Sequence, residues 1–515
     1  MLALWAVKSA KQGVFEFTPT PLDIPLLLWT IMNIVTTFTS FAPQLSFRGE
    51  YENFAGSLSN INYVIIFFIA SQNIRTKKEI VTIAYTVLAT GILMTIYSIC
   101  QFFGLDFVNW NEGSMIKGRY FASMGNPNFL GALLTMMIPF GISFAIDGYG
   151  GRNDEYIFKF GFFKISKPVF AVLNIIILIF MYLALLGTQS RGPMLAFFAS
   201  LFFYFVLLFV YLNSAYIKAG KNISAENSGT PSGYLPFLAA AARKNYKIII
   251  FVFAAAVIAA VLSFTVGKDA TNRLSNSIAH PKESFATSRL HIWVPAMRII
   301  KDNPMLGTGV DTFKSIFPKY EGTNFAQIDG ANVSSRTAHN EPLNIAATMG
   351  LPTLGIYILL ICAYCVMSYR TFIRTPEGPL KLVSYAAFAG VIAYIVQNFV
   401  SFGVAAINTY LYIFFALHAV LYAQFYNTKT KYFRLYKSGS PYEWIIKYSV
   451  ITVSVFAAIF LGYRAYMMFS ADVHYNRGKI YGGVYNKWNE AISEHIKSVE
   501  EEPNEVKYYV YLALA

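Results

Sequence analysis

Apolar blocks of about 20 residues recur along most of the chain, separated by short polar segments. A hydrocarbon core of ~30 Å takes about 20 helical residues to cross, so each block predicts a membrane-spanning helix. About eleven are expected, near Ile24–Phe41, Leu58–Ala70, Ile80–Phe103, Phe129–Ile146, Val169–Gly187, Met194–Leu212, Ile248–Val266, Leu343–Met367, Leu382–Phe402, Val404–Phe425 and Ile445–Tyr466. The second is short enough to be tilted or interfacial. A transmembrane barrel would show ~10-residue segments of alternating character, and these blocks do not alternate. No clear cleavage site marks the N-terminal end, so the first span is expected to be retained. The expected fold class is all-α, a polytopic helical membrane protein.

Two regions break the span-and-loop pattern. Gly267–Glu341, between the seventh and eighth spans, is a long loop, and long ordered loops usually carry function. Within it Arg289–Lys301 predicts an amphipathic helix, with Trp293, Met297 and Ile300 at helical spacing on a face suited to the membrane surface. Asp302-Asn303-Pro304 stops that helix, and Gly307 and Gly309 permit a turn after it. The other region follows Tyr466. Tyr475, Gly478, Ala491 and Pro503 resemble one tetratricopeptide repeat, and Tyr509, Leu512 and Ala513 the start of a second. A plain amphipathic helical hairpin is the alternative. One repeat cannot bury its own face, so the pair either continues past Ala515 or docks on something else. The domains expected are therefore residues 1–466, the membrane domain, with 267–341 as its catalytic loop, and residues 467–515, a helical tail.

Composition agrees with this class: 56% of residues are hydrophobic and 13% charged, about half the charged share of a soluble chain. The net charge of +14 resides in short segments between apolar blocks and marks topology rather than nucleic-acid binding. Lys8, Lys11, Arg75, Lys77, Lys78, Arg152, Lys159, Arg243, Lys244, Arg370, Arg374, Lys431 and Arg434 fall on one side of an eleven-span alternation. The short connections on the other side hold only Arg48, Lys117, Arg119 and Arg191. Basic loops stay in the cytoplasm. The expected N-terminus is therefore cytoplasmic, with the long loop and the C-terminus outside. Cys100, Cys362 and Cys365 all lie within apolar blocks and read as helix packing.

The spans carry almost no ionisable residues, which argues against a proton-coupled pump. His418 is the exception and has no carboxylate partner in its span. Polar residues collect instead at the outer boundary. Gly118-Arg119-Tyr120 runs into Gly125-Asn126-Pro127-Asn128, Thr188–Pro193 joins the fifth and sixth spans, and Ser288-Arg289 and Ala338–Glu341 open and close most of the long loop. Arg191 follows Ser190 at a helix start. It is either an arginine meeting lipid head groups or a guanidinium beside a helix N-terminus, suited to phosphate. Arg289 would open the surface helix, against the dipole, and anion binding would account for that. Arg119 is either a loop-structuring arginine or part of the same anion site, and Arg336 is a weaker candidate. His339 is a candidate proton acceptor at neutral pH, with Glu341 the candidate to orient its ring. His291 is the rival base. No Asp-x-Asp pair, Walker A loop, Gly-x-Ser-x-Gly elbow or metal-ligand spacing occurs, so neither a metal nor another cofactor is expected. Arginines plus a base suit a substrate with its own leaving group, such as a lipid-linked pyrophosphate.

Taken in order, these motifs resemble the O-antigen ligase and O-antigen polymerase superfamily of bacterial envelope enzymes. The resemblance covers roughly Gly118–Tyr369. It rests on the glycine–arginine–tyrosine and Gly125–Asn128 pieces, on Thr188-Gln189-Ser190-Arg191-Gly192, on Ser288–Trp293 leading to Asn303–Gly309, and on Ala338-His339-Asn340 leading to Gly350-Leu351. It implies a metal-independent, inverting glycosyltransferase in the bacterial inner membrane that takes a glycan from undecaprenyl pyrophosphate and passes it to a glycan, lipid or protein acceptor. Arg191 and Arg289 would hold the pyrophosphate and His339 would take the acceptor proton. A repeat-like tail departs from the simple ligase pattern and suggests a protein partner. A lipid-linked oligosaccharide flippase or other transporter, and a non-catalytic envelope scaffold, are the alternatives.

Overall fold

The computed structural model describes residues 2–51, 53–106, 119–149, 156–160, 163–225, 285–322, 334–437 and 439–515. The chain forms two compact units, one of Pro19–Lys429 and one that joins Met1–Thr18 to Thr430–Ala515. The second begins with helix α1 (Leu2–Gln12) and strand β1 (Val14–Phe17).

The Pro19–Lys429 unit is a helical bundle. It opens with α2 (Asp23–Phe38), the short α3 (Pro43–Arg48), α4 (Ser57–Asn73) and α5 (Lys77–Phe102). Thr76 and Glu79 start α5 with a reciprocal capping box, which satisfies amide groups that a helix end leaves open. There follow α6 (Pro127–Tyr149), the ribbon of β2 (Tyr156–Phe160) and β3 (Phe163–Ser166), α7 (Lys167–Gly187) and α8 (Arg191–Ala225). After residues 226–284, which are not described, come α9 (Phe285–Asp302), α10 (Glu341–Met349), α11 (Leu351–Arg374), α12 (Pro379–Asn398) and α13 (Ala405–Phe425). Helices α6 and α12 are the most buried. The first packs on α5, α7, α8 and α12, and the second on α6, α8 and α13. Lipid supplies no hydrophobic drive between helices, so close packing needs small residues. A Cβ on Gly390 of α12 would lie 2.6 Å from the Phe414 ring and 3.0 Å from the Met136 carbonyl oxygen, so glycine sets that approach. His418 is buried between Tyr364 and Ser384, to which its two ring nitrogens hydrogen-bond at 3.0 and 3.1 Å.

The other unit is completed by β4 (Lys431–Arg434), α14 (Glu443–Gly483), α15 (Trp488–Glu501) and α16 (Val506–Leu514). Strand β4 pairs antiparallel with β1, Val14 opposite Arg434. The C-terminal end of α14 and α15 form a hairpin. Gly478 makes room for His495, whose ring would lie 2.6 Å from a Cβ there. The domain boundary expected near Tyr466 falls inside α14, a continuous helix of 41 residues.

Among the described residues, eight helices are long and apolar enough to cross a membrane: α5, α6, α7, α8, α11, α12, α13 and α14. The other three expected spans stand differently. The first forms α2, an apolar helix of 16 residues, and the second forms α4, of 17 residues. At ~1.5 Å per residue each is shorter than a ~30 Å core. Residues 248–266 lie outside the described residues. The expected span Leu343–Met367 is broken at Gly350, which has φ +85° and separates α10 from α11. A side chain at 350 would collide with the Met305 carbonyl, while Leu351 N–H donates to Pro304 O at 2.8 Å. The break is what docks residues 303–309 on the end of α10.

The surface helix also differs from expectation. In α9 the buried face is Ile292, Ala296 and Ile299, packed with Trp293 and Ile300 on Phe313, Phe317, Ala338 and Ala347. Trp293 and Ile300 therefore turn inward, and the exposed apolar side is Leu290, Val294 and Met297. Gly390→Ala is expected to destabilise by about 1–3 kcal/mol through overpacking. The check is the thermal midpoint of the detergent-solubilised protein, with Gly462→Ala, which has open space around it, staying at the wild-type value.

Candidate active site

The site is built where α9, α10 and the loop between them meet the bundle. Asn303 and Pro304 end α9, and the chain then makes two glycine turns, Gly307 at φ +65° and Gly309 at φ +118°. A side chain at 309 would strike Ser40 and Ser46, so this segment lies against the α2–α3 connection. Gly309 N–H donates to Thr348 O at 2.8 Å, which ties the same segment to α10. At the start of α10, Asn340 accepts from Leu343 N–H at 3.0 Å and Pro342 occupies the first turn. Such a cap is worth ~1 kcal/mol, and it fixes the residue before it, His339.

His339 has φ +49°, a conformation that costs a non-glycine residue about 1–3 kcal/mol and persists only where the surroundings hold it. Here they do. Arg289 Nη1 donates to the His339 carbonyl at 2.8 Å, Trp293 Nε1 donates to the Ala338 carbonyl at 3.0 Å, and Thr337 Oγ1 accepts from His339 N–H at 3.3 Å. Arg289 lies in the second turn of α9 rather than at its start. Its charge is directed at this turn instead of opposing the helix dipole. The His339 ring stands edge-on to Phe402 at 5.4 Å. Burial, and secondarily the Arg289 guanidinium, hold the imidazole down at about 4, so it is neutral at pH 7 and can accept a proton.

The arginine-bearing hairpin approaches from the other side. Arg119 donates to Thr188 O at 2.8 Å and to Ser190 Oγ at 2.7 Å, and Tyr120 N–H donates to Gly187 O. Arg119 thus ties the Gln189–Ser190 turn in place. Arg191 is exposed at the first residue of α8. Gly192 beside it abuts Gln397 and Val400 at the end of α12. Asn340 donates to Phe399 O at 3.0 Å on that same bend, and Phe402 packs against both His339 and Phe129, the latter at 5.5 Å. Residues 397–402 are therefore the common neighbour of the Arg191 hairpin, the asparagine-rich start of α6 and the His339 turn. Gly118 lies outside the described residues. Beside this bend is a cleft of about 710 Å³, lined by Asn53, Phe54, Asn126, Phe129, Arg336 and His339 among others. Substrate sites are typically roughly 300–1,000 Å³. His291 is not among the cleft-lining residues.

Glu341 does not orient the histidine. Its carboxyl accepts from Gly403 N–H and faces Asp311, and the charge that acts on the His339 ring is Arg289. The cause is local geometry. With His339 left-handed before the Asn340 cap, the first helical residue lines a separate, small cavity of about 60 Å³. Burial pushes Glu341 up to about 7 and Asp311 up to about 6; the groups that donate to each carboxyl oppose the rise, while the charge of Asp311 adds to it at Glu341 and that of Glu50 adds to it at Asp311. Trp29 Nε1 is buried at the same cavity without a hydrogen-bond partner.

Sequence reasoning passed over Asp311, Asn53 and Phe402. Asp311 had a signal, an acid two residues past a glycine turn in an apolar stretch. Asn53 and Phe402 had none, since each depends on a contact far away in sequence. Among the described residues no group of three His, Cys, Asp or Glu is placed to hold a metal ion.

No curated protein matches the chain. Residues 176–358 match the family model described as O-Antigen ligase, a stretch that includes Arg191, Arg289, Asp311, His339 and Glu341. The chain thus combines eight described helices long and apolar enough to cross a membrane with a stretch, residues 176–358, that is similar to the O-antigen ligase family.

Proposed function

We propose that the protein transfers a glycan from undecaprenyl pyrophosphate to an acceptor hydroxyl, with inversion and without a metal, at the cleft beside His339. The observation that carries this reading is the contact of Arg289 with His339 at the edge of a cleft of about 710 Å³. A neutral imidazole next to a guanidinium suits a reaction that must accept a proton and carry phosphate charge together.

The acceptor oxygen attacks the anomeric carbon, and the bond from that carbon to the pyrophosphate oxygen breaks. The electron pair leaves with undecaprenyl pyrophosphate, and a His339 ring nitrogen takes the hydroxyl proton. Arg289 and Arg191 pair with the pyrophosphate, whose charge grows as the bond breaks. Arg119 acts through the hairpin that presents Arg191. Pairing Arg289 with an anion also offsets the cation that depresses His339, so donor binding makes the imidazole a stronger base. The excess of basic residues on one set of connections supports an outward-facing cleft. The tail hairpin, read as repeat-like, would recruit an acceptor or partner protein.

Reconstituted with a lipid-linked oligosaccharide and an acceptor, His339→Gln is expected to lose about 10²–10⁴-fold in turnover while still binding donor. Arg289→Ala should raise the donor KM and also lower turnover, because it releases the His339 turn as well as the pyrophosphate. Full activity in both variants would refute the mechanism, and lipid translocation without transfer would favour a flippase. The pH profile gives a further check. His339 has a folded value near 4, below its ordinary 6.5, so the neutral form and the stability tied to it are complete above 6.5 and lost as pH falls through about 4. The acid limb of kcat/KM is expected near pH 4. A limb at 6.5 would count against His339 as the base. For orientation, a cysteine at exposed Arg336 should react with an impermeant thiol reagent on intact cells, and one at exposed Lys77 only after permeabilisation. The reverse pattern would invert the topology.

A further inference from the structure

The loop Gly49–Gly56 is closed at its neck by two glycines. A Cβ on Gly49 would lie 2.6 Å from the amide nitrogens of Ala55 and Gly56, and one on Gly56 would strike Gly49 N. Inside the loop, two backbone N–H groups converge on one oxygen. Glu50 and Ala55 donate to Asp311 Oδ2 at 2.8 and 3.1 Å, and the Asn53 side chain hydrogen-bonds to the same carboxyl. Asp311 is 8% exposed and lies about 260 residues away in sequence. Lys314, one turn on, pairs with Glu50 at 2.6 Å. The loop makes a turn of its own, Asn53 and Phe54 N–H donating to Glu50 O at 3.0 and 2.8 Å, and the segment after Gly309 anchors that turn at both ends.

Two residues of the loop, Asn53 and Phe54, line the cleft together with Asn126, Phe129 and His339. Side-chain amides pair with vicinal hydroxyls, and aromatic faces cover the C–H face of a pyranose ring. That wall suits a sugar ring rather than a lipid chain or a free phosphate.

We propose that Asp311 is a positioning residue: its carboxylate gathers the Gly49–Gly56 loop and so sets the Asn53–Phe54 wall that meets a sugar ring in the cleft. The inference rests on the glycosyl-transfer reading for the identity of its ligand, which comes either from the donor glycan or from the acceptor. Asp311→Asn keeps an acceptor oxygen for both amides, whereas Asp311→Ala removes it.

The test uses the full chain in lipid nanodiscs, with hydrogen–deuterium exchange at Glu50 and Ala55 and equilibrium binding of a lipid-pyrophosphate oligosaccharide and of a soluble oligosaccharide acceptor. Asp311→Ala is expected to speed exchange at both amides at least tenfold. It should also weaken one of the two ligands about tenfold, with turnover at saturation within about threefold of wild type. Asp311→Asn should restore exchange and binding. The ligand that weakens identifies the source of the ring. Unchanged exchange, unchanged binding of both ligands, or loss of turnover with binding intact would each overturn the proposal. Exchange and binding need no turnover. A wild-type protein that binds the oligosaccharide and transfers nothing would therefore sink the glycosyl-transfer reading alone.

Discussion

One guanidinium holding one strained turn is the constraint from which the site follows. Arg289 reaches from the second turn of α9 to the carbonyl of His339, a histidine in the left-handed region. That contact, the neighbouring Trp293 bond and the Thr337 hydroxyl together offset a conformation that costs ~1–3 kcal/mol. The strain has a consequence for charge. It sends His339 towards Phe402 and the cleft, while Glu341, only two residues on, accepts from Gly403 N–H. The charge that acts on the imidazole is thereby a cation rather than an anion.

The membrane bundle gives this turn its rigidity. Helices α6 and α12 cross closely because Gly390 has no side chain, and the end of α12 then continues into the bend that carries Phe399 and Phe402. The same bend receives Gly192 from the arginine hairpin. A site assembled from four distant stretches of chain thus refers to one buried crossing. Arg119 adds a cross-brace, since its two hydrogen bonds hold the Thr188–Ser190 turn that leads into Arg191.

How much of this could be read from sequence depended on the range of the interaction. Span positions were legible because hydropathy and helix rise are local, and α5 to α8 and α11 to α14 appear where apolar blocks lie. The break at Gly350 was not legible, and one span was expected over Leu343–Met367, because the reason for the break is the Met305 carbonyl about 45 positions away. Arg289 and His339 stood out as cations and bases at an apolar boundary, yet their mutual contact came only with the fold. Glu341 looked like a partner for His339 because the two are close in sequence. The φ of one residue between strand-like and helical backbone decided otherwise. Asp311 was hidden for the opposite reason: its partners, Glu50 and Ala55, are backbone amides, and these have no signature in a sequence.

The most direct measurement is a structure of the protein with a non-hydrolysable lipid pyrophosphate bearing its first sugars. The account predicts phosphate oxygens within ~3 Å of Arg289 and the anomeric carbon in front of His339, in the cleft beside Phe402. A pyrophosphate bound elsewhere, with Arg289 making no contact to phosphate and the cleft empty of sugar, would contradict it.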